Sequence, residues 1–193
     1  DELIQNNDLE KIKTIGDAYM CAGGIPIDNS INPMNACIAA LQIQDYMSKL
    51  KFDAIANHSD YWEIRLGIHT GPVVAGIIGD LKLAYDVWGP TVNQAQQMEK
   101  FGAPGDVTIS GTTFTFIEPY FECIPKGKVK IKGGIEVDTY AVLKIKPELS
   151  EKGEGLFPND KFSEIVQLHH FSSIKSYETG HVVLHYLQAG FSE

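Results

Sequence analysis

The order of helix-like and strand-like runs is the feature that most limits the folds open to this chain. Residues 34–50 (MNACIAALQIQDYMSKL) have the apolar spacing of a helix packed on one side, and residues 90–101 (PTVNQAQQMEKF) carry proline near the first position of a second helix. Segments in which apolar residues alternate with other residues, as in strands, surround these helices. The pair VKIKGG and DTYAVLKI predicts a final hairpin. This order predicts an α+β fold, a ferredoxin-like β-α-β-β-α-β sandwich with helices on a face of one antiparallel-rich sheet.

The stretch KTIGDAYM, residues 13–20, predicts a tight hairpin. Gly16 and Asp17 form a two-residue pair that closes such turns, because glycine accepts the positive φ required at the first central position of a type II′ turn. Lys13 then lies opposite Met20 on the paired strands. The carboxylate of Asp17 is expected at the exposed tip, either as a solvated turn residue or as a functional group.

Length and composition predict one compact domain with an extension. The chain has 193 residues, 44% of them apolar. It begins without Met on what resembles the end of a helix, so we expect native sequence upstream that holds the first strand and helices of the fold. After Pro147 the sequence becomes polar and contains Gly and Pro, which predicts a boundary between a domain over 1–146 and a linker with a helical extension over 147–193. Asn159 or Asp160 is expected to cap that helix.

Charge, apolar runs and cysteines limit the partners and the compartment. A net charge of −9 argues against a nucleic-acid surface, which would show clustered Lys and Arg. No run approaches the roughly 18 apolar residues of a membrane span, so no membrane contact is expected from this region, and any anchor would belong to upstream segments. The three cysteines, Cys21, Cys37 and Cys123, are widely spaced without a metal-like pattern, which predicts a reducing, cytoplasmic location.

Two smaller patterns leave alternatives open. In KGKVKIKGG, a strand would place Lys128, Lys130 and Lys132 on one face, which is either a solvated strand face or a site for a polyphosphate tail. His181 and His185 have the i, i+4 spacing of two metal ligands on a helix. No third ligand or acidic partner is evident for them, so packing is the favoured interpretation.

Three separated segments carry a family resemblance. They are EKIKTIGDAYMCAGGIP, IRLGIHTGPVVAGIIGD and YDVWGPTVNQAQQME. Together they resemble, in order and in separation, the signature segments of the class III nucleotidyl cyclase catalytic domain. The resemblance covers roughly residues 9 to 145 and leaves the tail outside.

The resemblance implies a reaction and a metal requirement. Such enzymes drive the ribose 3′-hydroxyl of a nucleoside triphosphate onto its own α-phosphate and expel pyrophosphate, with two divalent ions, Mg²⁺ or Mn²⁺, held by two aspartates. Asp17 matches the hairpin aspartate of that pair. The resemblance places the other aspartate in a strand upstream of residue 1, so the given chain is expected to hold half of the metal site.

The resemblance also implies ATP as the substrate. Lys13 and Asp86 match the pair that recognises adenine, in which lysine donates to N1 and aspartate accepts from the N6 amine, whereas guanylate-specific relatives commonly carry Glu and Cys there. Asn93 matches the ribose-positioning asparagine, and Lys132 matches the lysine that meets the terminal phosphates.

One position departs from the family pattern. One helical turn after Asn93 the family carries an arginine that holds the α-phosphate in the transition state, and this chain has Gln97 there. Lys100 lies on the same helix face, about another turn on, and is a candidate to supply the missing charge.

In this family the active site forms between two catalytic domains. A chain that carries Asp17 together with the base-reading pair and Asn93 has both halves, so a homodimer with two equivalent sites is expected. The predicted function is therefore an adenylate cyclase for cyclic AMP signalling, slowed by Gln97. The alternatives are a cyclase-like ATP-binding module without turnover and an unrelated interaction domain on the same sandwich.

Overall fold

A computed structural model describes residues 1–131, 133–173, 181–185 and 190–191, with side chains described no further than residue 168. The helices are α1 (Glu2–Gln5), α2 (Asn32–Ala56), α3 (Pro90–Phe101), α4 (Gly111–Ile117) and α5 (Asp160–Ser173). The strands are β1 (Leu9–Ile15), β2 (Ala18–Gly23), β3 (Trp62–Glu63), β4 (Leu66–Gly71), β5 (Val74–Ile78), β6 (Ala84–Trp88), β7 (Val107–Ser110), β8 (Phe121–Lys130), β9 (Glu136–Ile145), β10 (His181–His185) and β11 (Gly190–Phe191).

Seven strands form one sheet in the order β1-β2-β10-β4-β7-β9-β8. Neighbours pair antiparallel except β4 and β7, which run parallel. Two short two-stranded sheets stand apart, β5 with β6 and β3 with β11. The mixed α+β fold is therefore confirmed. The helices differ from the expected single covered face, because α3 packs on the opposite face of the sheet from α2 and α4.

The main core lies between the sheet and α2. Residues 32–41, the first part of α2, are buried, and their apolar side chains pack against Leu66 and Ile68 of β4 and against Ile109 of β7. A smaller cluster on the other face joins Ala95 of α3 to β2. In the described part of the chain, no helix is both long and apolar enough to cross a membrane.

The first hairpin has the predicted register. Ile15 pairs with Ala18, and Lys13 pairs with Met20. Gly16 has φ of +63°, the left-handed value that the first central position of a type II′ turn requires. The turn therefore places Asp17 at the exposed end of the hairpin.

The residues after position 147 pack on the same core. Asn159 caps α5 by accepting a hydrogen bond from the Phe162 N–H at 3.2 Å, as one of the two predicted caps. The Phe162 ring meets Tyr120 and Phe121, with centroids 5.4 and 6.0 Å away. The polar run before α5 contains two short 3-10 turns over 147–149 and 151–153, where a linker was expected.

The two histidines of the tail are not on a helix. His181 and His185 are the first and last residues of β10, so the helical arrangement that the metal-binding alternative required is not formed. β10 pairs with β2 and β4, and this backbone pairing is what makes the segment a strand. The domain boundary near residue 146 stays a prediction.

Candidate active site

Lys13 and Asp86 form an ion pair between the first hairpin and the β5–β6 hairpin. The Lys13 Nζ to Asp86 Oδ2 distance is 2.6 Å, and the Asp86 side chain is only 11% exposed. The other carboxylate oxygen of Asp86 accepts a hydrogen bond from the Val87 N–H at 2.8 Å. The fold thus brings together two residues that the family resemblance had paired, although 73 positions separate them in sequence.

Asn93, Gln97 and Lys100 lie on one face of α3. A helix advances about 100° per residue, so these three positions fall within about 60° of one another. Asn93 and Lys100 are exposed, and Gln97 is half-buried. The buried positions of α3 lie on the opposite side; they are Thr91, Ala95, Met98 and Glu99. The candidate face of α3 therefore points away from its own sheet.

Asp17 lies within electrostatic range of α3. The pKa of the Glu99 carboxyl is raised above its ordinary value, chiefly by burial. The charges of Arg65 and Lys100 act in the opposite direction, and the Asp17 carboxylate adds to the increase. Such effects weaken with distance, and the Asp17 contribution is the smallest of those acting on Glu99.

The described residues supply part of a site for divalent ions. Carboxylate oxygens suit Mg²⁺ and Mn²⁺, so Asp17 fits as one ligand. Across residues 1–131 and the later described ranges, no group of three or more His, Cys, Asp or Glu side chains is placed to hold a metal ion. A complete two-ion site thus needs ligands beyond those that the described residues bring together.

Lys132 lies outside the described residues, so its expected contact with phosphates stays a prediction. The preceding lysines of β8 are exposed. Lys128 pairs with Asp138, and Lys130 pairs with Glu136, in the β8–β9 register. Opposite charges on facing positions are typical of a solvated strand pair.

Sequence reasoning missed a buried ion pair beneath α3. Glu99 is 1% exposed, and its Oε1 lies 2.8 Å from Nη2 of Arg65, the residue before β4. The available signal was spacing: Glu99 follows Thr91 and Ala95 at intervals of four, which places a carboxylate on the buried helix face.

A buried polar network was also missed. His69 Nδ1 lies 2.7 Å from Ser110 Oγ, which lies 3.2 Å from Thr113 Oγ1, and Thr113 Oγ1 lies 3.1 Å from Thr70 Oγ1. Burial lowers the pKa of His69 to about 4, so the imidazole is neutral near neutral pH. Ser110 also caps α4, because its Oγ accepts the Thr113 N–H.

The β5–β6 hairpin exposes an apolar surface. Leu81 is fully exposed at its tip, and Leu83 is 73% exposed. Further large apolar side chains on the hairpin are exposed as well, namely Val74, Ile77, Ile78 and Trp88. Such concentration is unusual on a surface that contacts only water.

The fold and these groups define a nucleotidyl cyclase catalytic domain. Residues 1–144 match the sequence model of the adenylate and guanylate cyclase catalytic domain, so the chain belongs to that family of lyases, and the resemblance is confirmed. The guanylate cyclase domain of RhGC from Catenaria anguillulae, solved in complex with GTP, is 30% identical with a TM-score of 0.66, over 74% of this chain and 76% of that one.

Curated relatives include both substrate classes. The soluble guanylate cyclase subunit beta-2 of Rattus norvegicus is 34% identical over 74% of this chain and 21% of its own length. An adenylate cyclase of Mycobacterium bovis is also 34% identical, over 69% of this chain and 29% of its own length. The chain thus spans less than a third of either relative, and overall identity does not separate ATP from GTP as the substrate.

Proposed function

We propose that the protein is an adenylate cyclase that converts ATP to cyclic AMP and pyrophosphate. The observation that carries the choice of ATP is the Lys13–Asp86 pair at 2.6 Å. Adenine offers an acceptor at N1 beside a donor at N6, which matches one ammonium and one carboxylate, whereas guanine offers a donor at N1 and an acceptor at O6. A mismatched buried polar group costs about 1 to 3 kcal/mol.

The remaining residues have roles along the triphosphate. In the reaction the 3′-oxygen bonds to the α-phosphorus, the bond from that phosphorus to the pyrophosphate oxygen breaks with its electron pair leaving on pyrophosphate, and the hydroxyl proton passes to solvent water. Asn93 orients the ribose, Lys132 contacts the terminal phosphates, and Asp17 provides a carboxylate for a divalent ion. Two bound ions, Mg²⁺ or Mn²⁺, would supply Lewis-acid activation of the hydroxyl and neutralisation of phosphate charge.

Gln97 is consistent with a slow enzyme, and it also suggests a second candidate function. A glutamine amide donates only neutral hydrogen bonds, so it stabilises a developing phosphate charge less than an arginine does. The second candidate is a cyclase-like module that binds ATP without turnover. Lys100 shares the exposed face of α3 with Gln97, which favours the enzyme, because an ammonium there replaces part of the missing charge.

A homodimer completes the proposed site. Asn93 and Lys100 are exposed on the face of α3 that points away from its sheet, so a substrate held there needs a second wall. The apolar side chains of the β5–β6 hairpin offer a surface that a second copy covers. Base recognition then comes from one protomer and the Asp17 carboxylate from its partner.

The test is product formation by the full-length protein. We expect cyclic AMP from ATP with Mg²⁺ or Mn²⁺, in clear preference to cyclic GMP from GTP, and no product after Asp17→Ala. ATP binding by calorimetry without any product would favour the non-catalytic module. Cyclic GMP formed from GTP at an equal or greater rate would overturn the proposal.

A further inference from the structure

We propose that Arg65 and Glu99 are a positioning pair, which holds α3 in the rotation that presents Asn93 and Gln97 to the substrate. The inference rests on the proposed function, since it assigns the pair a task in that site. Neither residue is expected to touch the nucleotide. Glu99 lies on the buried face of α3, opposite the candidate face.

α3 lies unusually close to β4. A Cβ atom at Gly67 would lie 2.1 Å from the Glu99 amide nitrogen and 2.4 Å from the Ala95 carbonyl oxygen, so only glycine allows this approach. At the other end of the strand, Thr91 Oγ1 donates to the Pro72 carbonyl at 2.6 Å. The helix is therefore held to β4 near both of its ends.

The Thr91 hydrogen bond and the Glu99–Arg65 contact fix different properties of α3. The Thr91 hydrogen bond is made in the first turn of α3 and sets where the helix begins. The contact between Glu99 and Arg65 is made in the last turn and resists rotation about the helix axis, because it joins a buried side chain to a residue at the opposite end of β4.

The electrostatics make the Arg65 contact hard to replace. The Glu99 side chain is 2% exposed, and the Arg65 guanidinium, 2.8 Å from its Oε1, compensates the charge of the buried carboxylate. Removing one member of a buried pair leaves an uncompensated charge, whereas replacing both by apolar side chains of similar volume is often neutral or stabilising. A variant with both residues replaced can therefore keep the stability of the protein while it loses the orientation of α3.

Orientation matters here because the face carrying Asn93 and Gln97 is on the far side of the helix. A small rotation of α3 on β4 moves those side-chain tips by about 1 Å, and misplacement by about 1 Å can lower turnover by about 10²-fold. Such a loss falls on kcat more than on KM, because positioning is most demanding in the transition state.

The experiment compares four variants of the full-length protein. Glu99→Gln removes the charge but keeps the shape, Arg65→Lys keeps the charge, and Arg65→Met with Glu99→Leu replaces the pair by apolar side chains. The control is Glu63→Gln, which breaks a half-exposed ion pair of 2.5 Å between β3 and Lys51 of α2. The readouts are kcat, KM, melting temperature, and amide hydrogen exchange over residues 91–101.

We expect kcat to fall at least about tenfold in Glu99→Gln, with KM within about threefold of wild type. Arg65→Lys should retain most of kcat, and the control should leave kcat unchanged. The apolar double variant is decisive: its melting temperature should return to the wild-type value while kcat stays low and the amides of α3 exchange faster. Recovery of kcat together with the melting temperature would overturn the proposal, since the pair would then contribute only stability.

Failure of the proposed function gives a different result. If the wild-type protein forms no cyclic nucleotide, the adenylate cyclase assignment fails, and hydrogen exchange then decides the role of the pair. Faster exchange over 91–101 in the apolar double variant, at the wild-type melting temperature, supports the fixed rotation of α3. Exchange at the wild-type rate overturns it.

Discussion

At the scale of single residues, Gln97 stands where the family resemblance implies an arginine. Its half-buried side chain lies between Asn93 and Lys100 on the candidate face of α3. A charge-assisted hydrogen bond to a phosphate oxygen is roughly twice as strong as a neutral one, so the identity of this residue bears on the transition state more than on binding.

The first prediction concerns Gln97 and Lys100. We expect Gln97→Arg to raise kcat by about 10² to 10³, the effect of one preorganised charged donor, with little change in ATP affinity. If Lys100 already supplies the charge, Lys100→Ala should abolish turnover and Gln97→Arg should add little. Kinetics of the wild type, both single variants and the double variant distinguish these cases. Values of kcat within about threefold of wild type in both single variants would contradict a role for this helix face in the transition state.

The second prediction concerns base choice. Lys13→Glu with Asp86→Cys should shift preference from ATP towards GTP, because the introduced carboxylate accepts a hydrogen bond from guanine N1–H and the introduced thiol donates one to O6. A mismatch of about 1 to 3 kcal/mol corresponds to a change of about 5-fold to 150-fold in relative kcat/KM. The measurement is kcat/KM for both nucleotides in wild type and double variant. Equal kcat/KM for the two nucleotides in the wild-type protein would contradict this role of the pair.

The third prediction concerns His69 and acid stability. The folded pKa of about 4 lies below the ordinary value of 6.5, so the unfolded chain binds one more proton between these pH values. The contribution of neutral His69 is thus fully present above about pH 6.5 and is lost as the pH falls towards 4. We expect His69→Gln to flatten this part of the stability curve, and the exposed His58→Asn to leave it unchanged. Denaturant unfolding at several pH values tests this; a curve of unchanged slope in His69→Gln would contradict it.

At the scale of elements, the β5–β6 hairpin combines a partly buried ion pair with a group of exposed apolar side chains. Among the described residues, Asp86 of β6 pairs with Lys13, and Val73, just before β5, packs beside β2 and α3. The apolar residues at its tip face outward. A second copy that covers this surface gives those residues a reason to be apolar.

The fourth prediction therefore concerns dimer formation. Ile77→Asp and Leu83→Asp should shift the protein towards monomer with little change in melting temperature, because both side chains are largely exposed within one chain. Ile27→Asp is the matched control, since Ile27 is 81% exposed but lies outside the hairpin. Sedimentation velocity measures the change. Dimers of unaltered affinity in both hairpin variants would contradict this interface.

The elements show what local sequence information determines. Gly16-Asp17 specified its turn type and register, and the bounds of α3 and α4 follow from Pro90 and from the Ser110 cap. The position of α3 on the opposite face could not be read from its sequence, because it depends on Gly67 in a distant strand. The strand at 181–185 was missed for a related reason: its conformation follows from pairing with β2 and β4.

The candidate site also contains residues that the sequence identified and residues that only the structure revealed. The family resemblance paired Lys13 with Asp86, and their side chains lie 2.6 Å apart, while their recognition of a base stays a proposal. The Arg65–Glu99 pair was not predicted from the sequence, because its proposed role depends on burial and not on contact with a ligand. Sequence patterns identify groups that meet a substrate more readily than groups that orient them.

At the scale of the whole molecule, one chain carries complementary halves of the proposed site. Asp17 belongs to the metal-binding half, and Asn93 belongs with the base-reading pair in the other half. A two-fold homodimer then has two equivalent sites, each built from both protomers.

The central claim is that the protein makes cyclic AMP at a site shared by two protomers, and subunit complementation tests it most directly. Full-length Asp17→Ala and Asn93→Ala proteins should each be inactive alone. After subunit exchange, half of the dimers are mixed, and each mixed dimer has one intact site out of two, so we expect cyclic AMP formation at about a quarter of the wild-type rate. No recovered activity, under conditions where exchange of labelled subunits is observed, would contradict the shared site.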